Sequence, residues 1–575
     1  MRDSYRHLTR KRWLQVVALG ACLALIAAAC GGGGGGGGTQ GAQTNIPKNN
    51  GKPVEGGSLT YGLEAETLGG FCPPTAQLAA GGIQVFQAIY DTLTVPNDKG
   101  EYVPYLAKSI DHNADFTQWT IAVRDGIQFQ NGEPLNADAV KLNLDRFKSG
   151  VLFQFVFPDV QDVSVVDPMT VRVTTKVPWV AFPASLWSTG RLGIAAPAQL
   201  NDDNTCPRNP IGTGPFKFQD WVPNDHLTVT KNQNYWQKDK DGNKLPYLDQ
   251  LTFRPVIDVS QRVNGLKGGD LDLIQLTDGQ QITGLRNDAK AGTVKMLETS
   301  RDAELAHTML NSGKPPFNNI NARLAVAYAS DRNALNQLSN NEVSPTWDQP
   351  YATDTMGYQK DPGFPTYDPK KAEDFVKKYE QATGQSGLHF TLDSTPDPST
   401  QQLAAAIKAQ VEKVPGISVE IRPPIEQSQY INYALGGGDT GQFDAILWRN
   451  FPGGDPDTLY VWWKSTQPNA DGSPVRNLVN FGRINDPQID QDLVQGRSET
   501  DPAKRKALYE DIGKQFAKNA YNIWGWLTLW SFAGKSNVNG FVGPDLPGPN
   551  AAGDGGARGV PIASVEPVMG LWVSK

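Results

Sequence analysis

Trp119-Thr120-Ile121-Ala122-Val123-Arg124-Asp125-Gly126, continued by Ile127-Gln128-Phe129-Gln130-Asn131-Gly132-Glu133-Pro134-Leu135-Asn136-Ala137-Asp138-Ala139-Val140, decides the fold class. The first six residues alternate apolar and polar, the period of a half-buried strand. Asp125-Gly126 then turns the chain, and Asn131-Gly132 is a second tight-turn signal. Asn136 stands as a helix N-cap, and Asp138 falls in the first turn, where the positive end of the helix dipole favours a carboxylate. Strand, turns and helix in close succession predict mixed α and β structure.

Outward from that stretch the same alternation of periods continues. Ser58-Leu59-Thr60-Tyr61-Gly62-Leu63 reads as a first strand and residues 83–93 as a buried helix. Residues 162–176 read as two strands about the Asp167-Pro168 turn, 227–230 and 251–256 as further strands, and 323–332 as a helix. No repeat period organises them, so the expected class is α/β in the mixed α+β sense, built as lobes. A chain of 575 residues exceeds what one core holds, so two or three packed units are expected. With 39% hydrophobic and 20% charged residues the balance is that of a globular chain rather than a disordered one. The net charge of -7, with no basic block beyond the N-terminus, argues against a nucleic-acid partner. The 14 tryptophans suit either packed cores or the walls of a cleft.

The N-terminus predicts an address. Arg2, Arg6, Arg10, Lys11 and Arg12 precede an apolar run from Trp13 to Ala29 and the small residues Ala27-Ala28-Ala29. This is the layout of a secretory signal peptide over residues 1–29. Cys30 at the cleavage point resembles a bacterial lipobox, in which the thiol takes lipid, although Ala27 stands where the usual leucine would be. Gly31 to Gly38 and the polar residues after them form a tether over 30–56, with a random-coil reach of about 28 Å. The mature chain then keeps Cys72 and Cys206, which are either a disulfide of an oxidising compartment or two buried thiols.

Six blocks carry a family resemblance. The first is Leu106-Ala107 with the opening stretch, and the second is Ile211-Gly212-Thr213-Gly214-Pro215-Phe216-Lys217-Phe218 ending at Asn234-Tyr235-Trp236. The third runs from Pro246-Tyr247-Leu248-Asp249 to Gly269-Asp270-Leu271-Asp272-Leu273, and the fourth from Pro316-Phe317 to Asp331-Arg332. Tyr367-Asp368-Pro369-Lys370-Lys371-Ala372 and Gly454-Asp455-Pro456-Asp457 complete the series. In this order they resemble the family 5 extracellular solute-binding proteins, the dipeptide-, oligopeptide- and nickel-binding components of ABC importers.

The resemblance implies a two-lobed fold like that of the periplasmic binding proteins, with two crossing segments as hinge and a subdomain inserted in the first lobe. The expected partition is lobe I over 57–93, 208–304 and 525–575, the inserted subdomain over 94–207, and lobe II over 305–524. Gly212, Gly214 and Pro215 are expected to form a turn with unusual dihedrals. The implied function is capture of a small solute or a short peptide between closing lobes and its delivery to an ABC permease. The protein is expected to be a monomer held outside the bacterial cytoplasmic membrane by lipid, with no cofactor and no metal.

Residues 443–457 run from an apolar strand into a Gly/Pro loop, which places Trp448, Arg449, Asn450, Phe451 and Asp455 as candidate ligand-binding residues. Peptide-binding relatives carry an ammonium-binding Asp three residues before the Asp-Pro, and here Pro452 stands there. Arg449 is therefore a candidate for an anionic group of the ligand, or else a surface salt bridge. Trp448 either stacks on the ligand or packs in the strand, and Asp455 either meets an amine or caps the Asp-Pro turn. Asn522-Ile523-Trp524-Gly525-Trp526-Leu527-Thr528-Leu529-Trp530 alternates with three tryptophans on one face and resembles the second crossing segment, with Trp526 as a candidate cleft residue. No catalytic residue is assigned, since HExxH, G-x-S-x-G, Walker and CxxC patterns are all missing. The alternatives are a secreted glycoside hydrolase, which would turn its ligand over, and a transport-inactive structural or regulatory lipoprotein.

Overall fold

A computed structural model describes residues 43–575 apart from 45, 68, 98–99, 151–155, 302–303, 354, 452, 469–473, 545, 547–564 and 566. The leader read over 1–29, Cys30 and the glycine tract lie outside these residues.

Gln118–Val123 is a strand in which Trp119, Ile121 and Val123 are buried and the residues between them half-buried. The Asn136 side chain accepts from the Ala139 N–H at 2.9 Å and starts the helix Ala137–Lys148. This strand sits in a four-stranded antiparallel sheet, ordered Ala107–His112, Gln118–Val123, Thr170–Thr175, Val160–Asp167. Its apolar face and the helix share one core, with Trp119, Ile121, Val140, Phe147 and Trp179 among its members. This is the inserted subdomain.

Two larger sheets make the lobes. The first has eight strands, ordered Gln43–Thr44, Val294–Thr299, Trp530–Lys535, Leu273–Leu276, Ser58–Leu63, Gln250–Pro255, His226–Lys231, Phe216–Val222. The second has five, ordered Ile417–Ile421, Leu388–Asp393, Ala445–Asn450, Leu305–Leu310, Asn522–Leu527. Each lobe has its own core, one containing Tyr61, Phe86 and Phe532, the other Phe317, Leu392 and Phe516. The fold is thus two-lobed, as the family resemblance implied.

The register identifies the hinge. Thr299 faces Trp530 in the first sheet, and Leu305 faces Leu527 in the second. The chain crosses between them twice, side by side, and the Thr528 N–H donates to the Glu304 carbonyl at 2.8 Å where the crossings touch. The return crossing therefore lies at 528–529, a few residues after the 524/525 boundary of the expected partition. The strand keeps its pairing with Leu305–Leu310 through Leu527, and a bulge sets Trp526 against Ala306 and Trp524 against His307, so Gly525 is the extra residue and the period of two breaks there.

Two other expectations change. Gly212 and Gly214 need no unusual dihedrals. A Cβ on Gly212 would stand 2.2 Å from the Ile89 carbonyl oxygen, and one on Gly214 2.5 Å from the Ile89 carbonyl carbon. Glycine is required there for close approach to the end of the helix Ala80–Ile89. Residues 323–332 are not one helix either. Ile320–Ala329 ends at Ser330, and Asp331 caps a second helix, Arg332–Asn340, by accepting from the Ala334 N–H at 3.1 Å.

Cys72 and Cys206 are joined as a disulfide, with Cα atoms 5.0 Å apart. The bridge sits where the inserted subdomain returns to the first lobe, beside the hydrogen bond from the Phe71 N–H to the Pro207 carbonyl at 2.9 Å.

Candidate functional site

In both lobes the strands that end at the hinge aim functional side chains into one crevice. Glu64 directly follows Ser58–Leu63, and Asp278 follows the neighbouring parallel strand Leu273–Leu276. In the second lobe Asp397 lies beyond Leu388–Asp393, while Trp448, Arg449 and Asn450 end the strand Ala445–Asn450 that runs parallel to it. Ligands of open α/β sheets bind outside the carboxyl ends of such strands. A cavity of about 290 Å³ lies there, with all of these residues in its wall.

The candidates read from the sequence separate into two groups. Trp448, Arg449, Asn450, Phe451 and Trp526 line the cavity. Trp448 stacks on Tyr430 with ring centroids 5.5 Å apart and donates its indole N–H to Asn450 Oδ1 at 2.8 Å. Phe451 carries the Arg191 guanidinium over its ring at 5.3 Å. Asp455 is not among the lining residues, and the expectation of a ligand role for it is corrected. Arg505 grips both of its oxygens, at 2.9 and 2.7 Å, while Oδ1 also accepts from the Asp457 N–H at 2.8 Å to cap the turn after it. Pro452 lies outside the described residues. The three tryptophans also do not share a face. Trp524 and Trp526 line the cavity, whereas Trp530 belongs to the first-lobe sheet and donates to Glu304 Oε2 at 3.0 Å.

Arg449 has neither of its two expected roles in simple form. Its Nη2 meets Glu64 Oε1 at 2.5 Å, its Nη1 donates to Thr277 Oγ1 at 3.0 Å, and its Nε stands 3.6 Å from Glu304 Oε2. This is an ion pair between the lobes inside the crevice rather than on the surface. Burial works against its charge, but Glu304 and Glu64 outweigh that and hold the guanidinium firmly protonated. Burial pushes Glu304 up to about 7, with Arg449 only partly opposing it and Glu64 adding to the rise.

The sequence reading missed the remaining charges. Arg191 contacts the Leu78 carbonyl from two nitrogens at 3.4 Å and the Thr189 hydroxyl, and among the described residues it has no ion-pair partner. Burial lowers it to about 10, against the pull of Glu304. Asp278 accepts from the Gln281 N–H at 2.8 Å and Asp397 from the Thr400 N–H at 3.2 Å, each capping a helix and neither ion-paired among the described residues. Burial raises Asp278, and the charge of Asp397 raises it further. The mutual influences form a chain, from Arg191 to Glu304, to Arg449 and Glu64, to Arg262 and Asp397, and on to Asp278. Among the described residues Arg191 at one end makes no ion pair, with Glu304 acting on it only at longer range, and Asp278 and Asp397 at the other end make none either, with Arg262 as the cation that acts on both. Among the described residues no cluster of His, Cys, Asp or Glu is placed to hold a metal ion, and no helix is long and apolar enough to cross a membrane.

The model of the bacterial extracellular solute-binding proteins, family 5 (middle region), matches residues 101–471. The glutathione-binding protein GsiB of Pectobacterium atrosepticum is 28% identical over 411 residues, covering 71% of this chain and 76% of that protein. Among solved structures, AgaA of A. tumefaciens in complex with agropinic acid has a TM-score of 0.76 at 24% identity, covering 90% of this chain and 99% of that one. The oligopeptide-binding protein AppA of Bacillus subtilis, in complex with a nonapeptide, has a TM-score of 0.75 at 20% identity, covering 91% and 100%. These structural likenesses carry the two-lobed fold, and the family model carries the membership: the chain belongs to the family 5 bacterial extracellular solute-binding proteins, the class that serves ABC importers.

Proposed function

We propose that the protein captures a short zwitterionic peptide between its lobes and delivers it to an ABC permease. The observation that supports this most is the polarity of the crevice. Among the described residues Arg191 at one end makes no ion pair, Asp278 and Asp397 at the other make none and share the single longer-range cation Arg262, and Trp448, Phe451, Trp524 and Trp526 lie in the same wall. A peptide carboxylate on Arg191 gains a bidentate, charge-assisted contact. A peptide ammonium between Asp278 and Asp397 relieves their repulsion. The cavity of about 290 Å³ stands at the small end of the range for ligand sites, about 300–1,000 Å³, which favours a ligand of a few residues. The GsiB relative is a glutathione-binding protein, so glutathione belongs in the first panel of probes.

The test is calorimetry with glutathione and a set of di- and tripeptides, each also as its C-terminal amide, alongside mass spectrometry of what co-purifies. Amidation, or Arg191→Ala with the free acid, is expected to weaken binding by about 1.5–3 kcal/mol, roughly ten- to a hundredfold. Parent affinity in Arg191→Ala removes that residue as the anchor, and a panel in which nothing binds removes the peptide.

The reading includes a lipid anchor at Cys30. With Cys30→Ala the protein is expected in the medium or as unprocessed precursor. A variant that is processed and membrane-bound like the parent sinks this part.

A further inference from the structure

Among the described residues, four residues of the crevice wall carry a buried polar atom without a partner, at Ser339 Oγ, Thr528 Oγ1, His307 Nε2 and the Trp524 indole N–H, and the last two form a pair. They belong to neighbouring strands, Leu305–Leu310 and Asn522–Leu527, at paired positions, with ring centroids 5.1 Å apart. Both residues are almost wholly buried, at 4% and 2% exposure. Native structures seldom leave a buried donor or acceptor unsatisfied, so an orphaned pair on two residues that line a cavity points to groups that arrive from outside.

The protonation of the pair follows from the hydrogen bond on the far side of the imidazole. His307 Nδ1 lies 2.8 Å from the Leu305 carbonyl oxygen, which can only accept. Nδ1 therefore carries the hydrogen, and Nε2 presents a lone pair. Burial moves the imidazole down to about 4, so the ring is neutral at ordinary pH. Trp524 Nε1 is a donor only. The wall thus offers one donor and one acceptor side by side, without charge.

We propose that His307 and Trp524 together read one amide edge of the ligand, with the Trp524 indole donating to its carbonyl oxygen and His307 Nε2 accepting from its N–H. The inference rests on the peptide reading and refines it. Two ligand groups present a C=O and an N–H on the same edge. One is a single residue of an extended peptide, as in the paired residues of an antiparallel ladder. The other is the primary carboxamide of an Asn or Gln side chain. A carboxylate offers no donor and an ammonium no acceptor, so neither satisfies both orphans.

The variants are His307→Phe and Trp524→Phe, which keep a ring and delete the polar atom. Calorimetry uses tripeptides with a backbone N-methyl group at each position in turn, and Gln-containing peptides against their Glu counterparts. Each variant is expected to weaken binding roughly ten- to a hundredfold. One N-methyl position is expected to cost the parent a similar factor and His307→Phe almost nothing, which assigns the backbone edge. A Gln-to-Glu penalty that disappears in His307→Phe assigns the side-chain amide instead. If every modification costs parent and variants alike, the inference is overturned.

A second readout uses a bare amide. In protein with 15N-labelled tryptophan, the Trp524 indole signal, assigned by its loss in Trp524→Phe, is followed on adding propionamide or propionate. Propionamide is expected to move it and propionate is not. Peptide binding with no movement of that signal by any amide overturns the inference and leaves the peptide reading standing. Movement by propionamide with no peptide bound does the reverse.

Discussion

Replacing Cys72 and Cys206 by alanine is expected to lower the stability of the protein by about 2–5 kcal/mol. The two cysteines stand 134 residues apart, so the bridge closes a loop that in the unfolded chain would otherwise roam widely. In the chain-entropy account a loop of that length is worth about 5 kcal/mol at 25 °C. The native site holds part of this geometry by other means. Gln199 Nε2 donates to the Cys206 carbonyl at 2.9 Å and the Tyr90 hydroxyl to the Phe71 carbonyl at 2.7 Å, both buried. These bonds keep the base of the subdomain in place in the folded variant, so the loss comes chiefly from a freer unfolded state. Thermal melting with and without reductant checks this. Reductant is expected to bring the parent down to the melting temperature of the double variant and to leave the variant unmoved. A double variant that melts with the parent overturns the prediction.

Local signals in the sequence were read well because they need no partner from elsewhere. The strand Gln118–Val123 shows its period of two in side chains that alternate between core and surface, and Asn136 announces a helix by its own side chain. Asp331 carried the same capping signal, yet the apolar spacing before it concealed the break at Ser330. Gly212 and Gly214 were legible as necessary glycines. Whether a glycine supplies a dihedral or vacates space depends on what passes next to it, here the end of the helix Ala80–Ile89.

The crevice divides along the same line. Trp448 to Phe451 were legible because an apolar strand runs into a Gly/Pro loop and exposes its end. Asp278 and Asp397 each follow a strand and cap a helix, a pattern that marks a strand's carboxyl end, but only the pairing of the strands brings them to one crevice. For Arg449 the residue was legible and its partners were not, since Glu64 lies 385 positions away. The tryptophans at 524, 526 and 530, all an even number of residues apart, misled because the chain changes sheets at 528–529, and a count by twos does not register that step.

The motif Gly454-Asp455-Pro456-Asp457 leads to the other large effect, since its second aspartate is buried at a junction. Asp457, 2% exposed, receives Arg497 Nε at 3.0 Å, Arg497 Nη2 at 3.3 Å and the Trp179 indole N–H at 2.7 Å. Arg497 also reaches Asp159 from Nη1 at 2.8 Å and lies over the rings of Trp179, 4.1 Å away, and Tyr460, 3.6 Å away. Asp159 and Trp179 belong to the inserted subdomain, Asp457 and Arg497 to the second lobe, so one buried guanidinium ties the two together. Burial works against its charge, and Asp457 is the largest influence that favours it. Asp457→Ala leaves that charge in the interior with one partner fewer and orphans the Trp179 indole. The expected loss is about 3–5 kcal/mol, the range for breaking a buried pair from one side. Asp457→Leu combined with Arg497→Met removes both charges, and Asp159, with 16% of its side chain exposed, keeps partial contact with water. The double variant is therefore expected to melt above Asp457→Ala, although it carries one substitution more. A single variant that melts like the parent, or a double variant that melts lowest of all, shows that the buried charge does not set the stability of this junction.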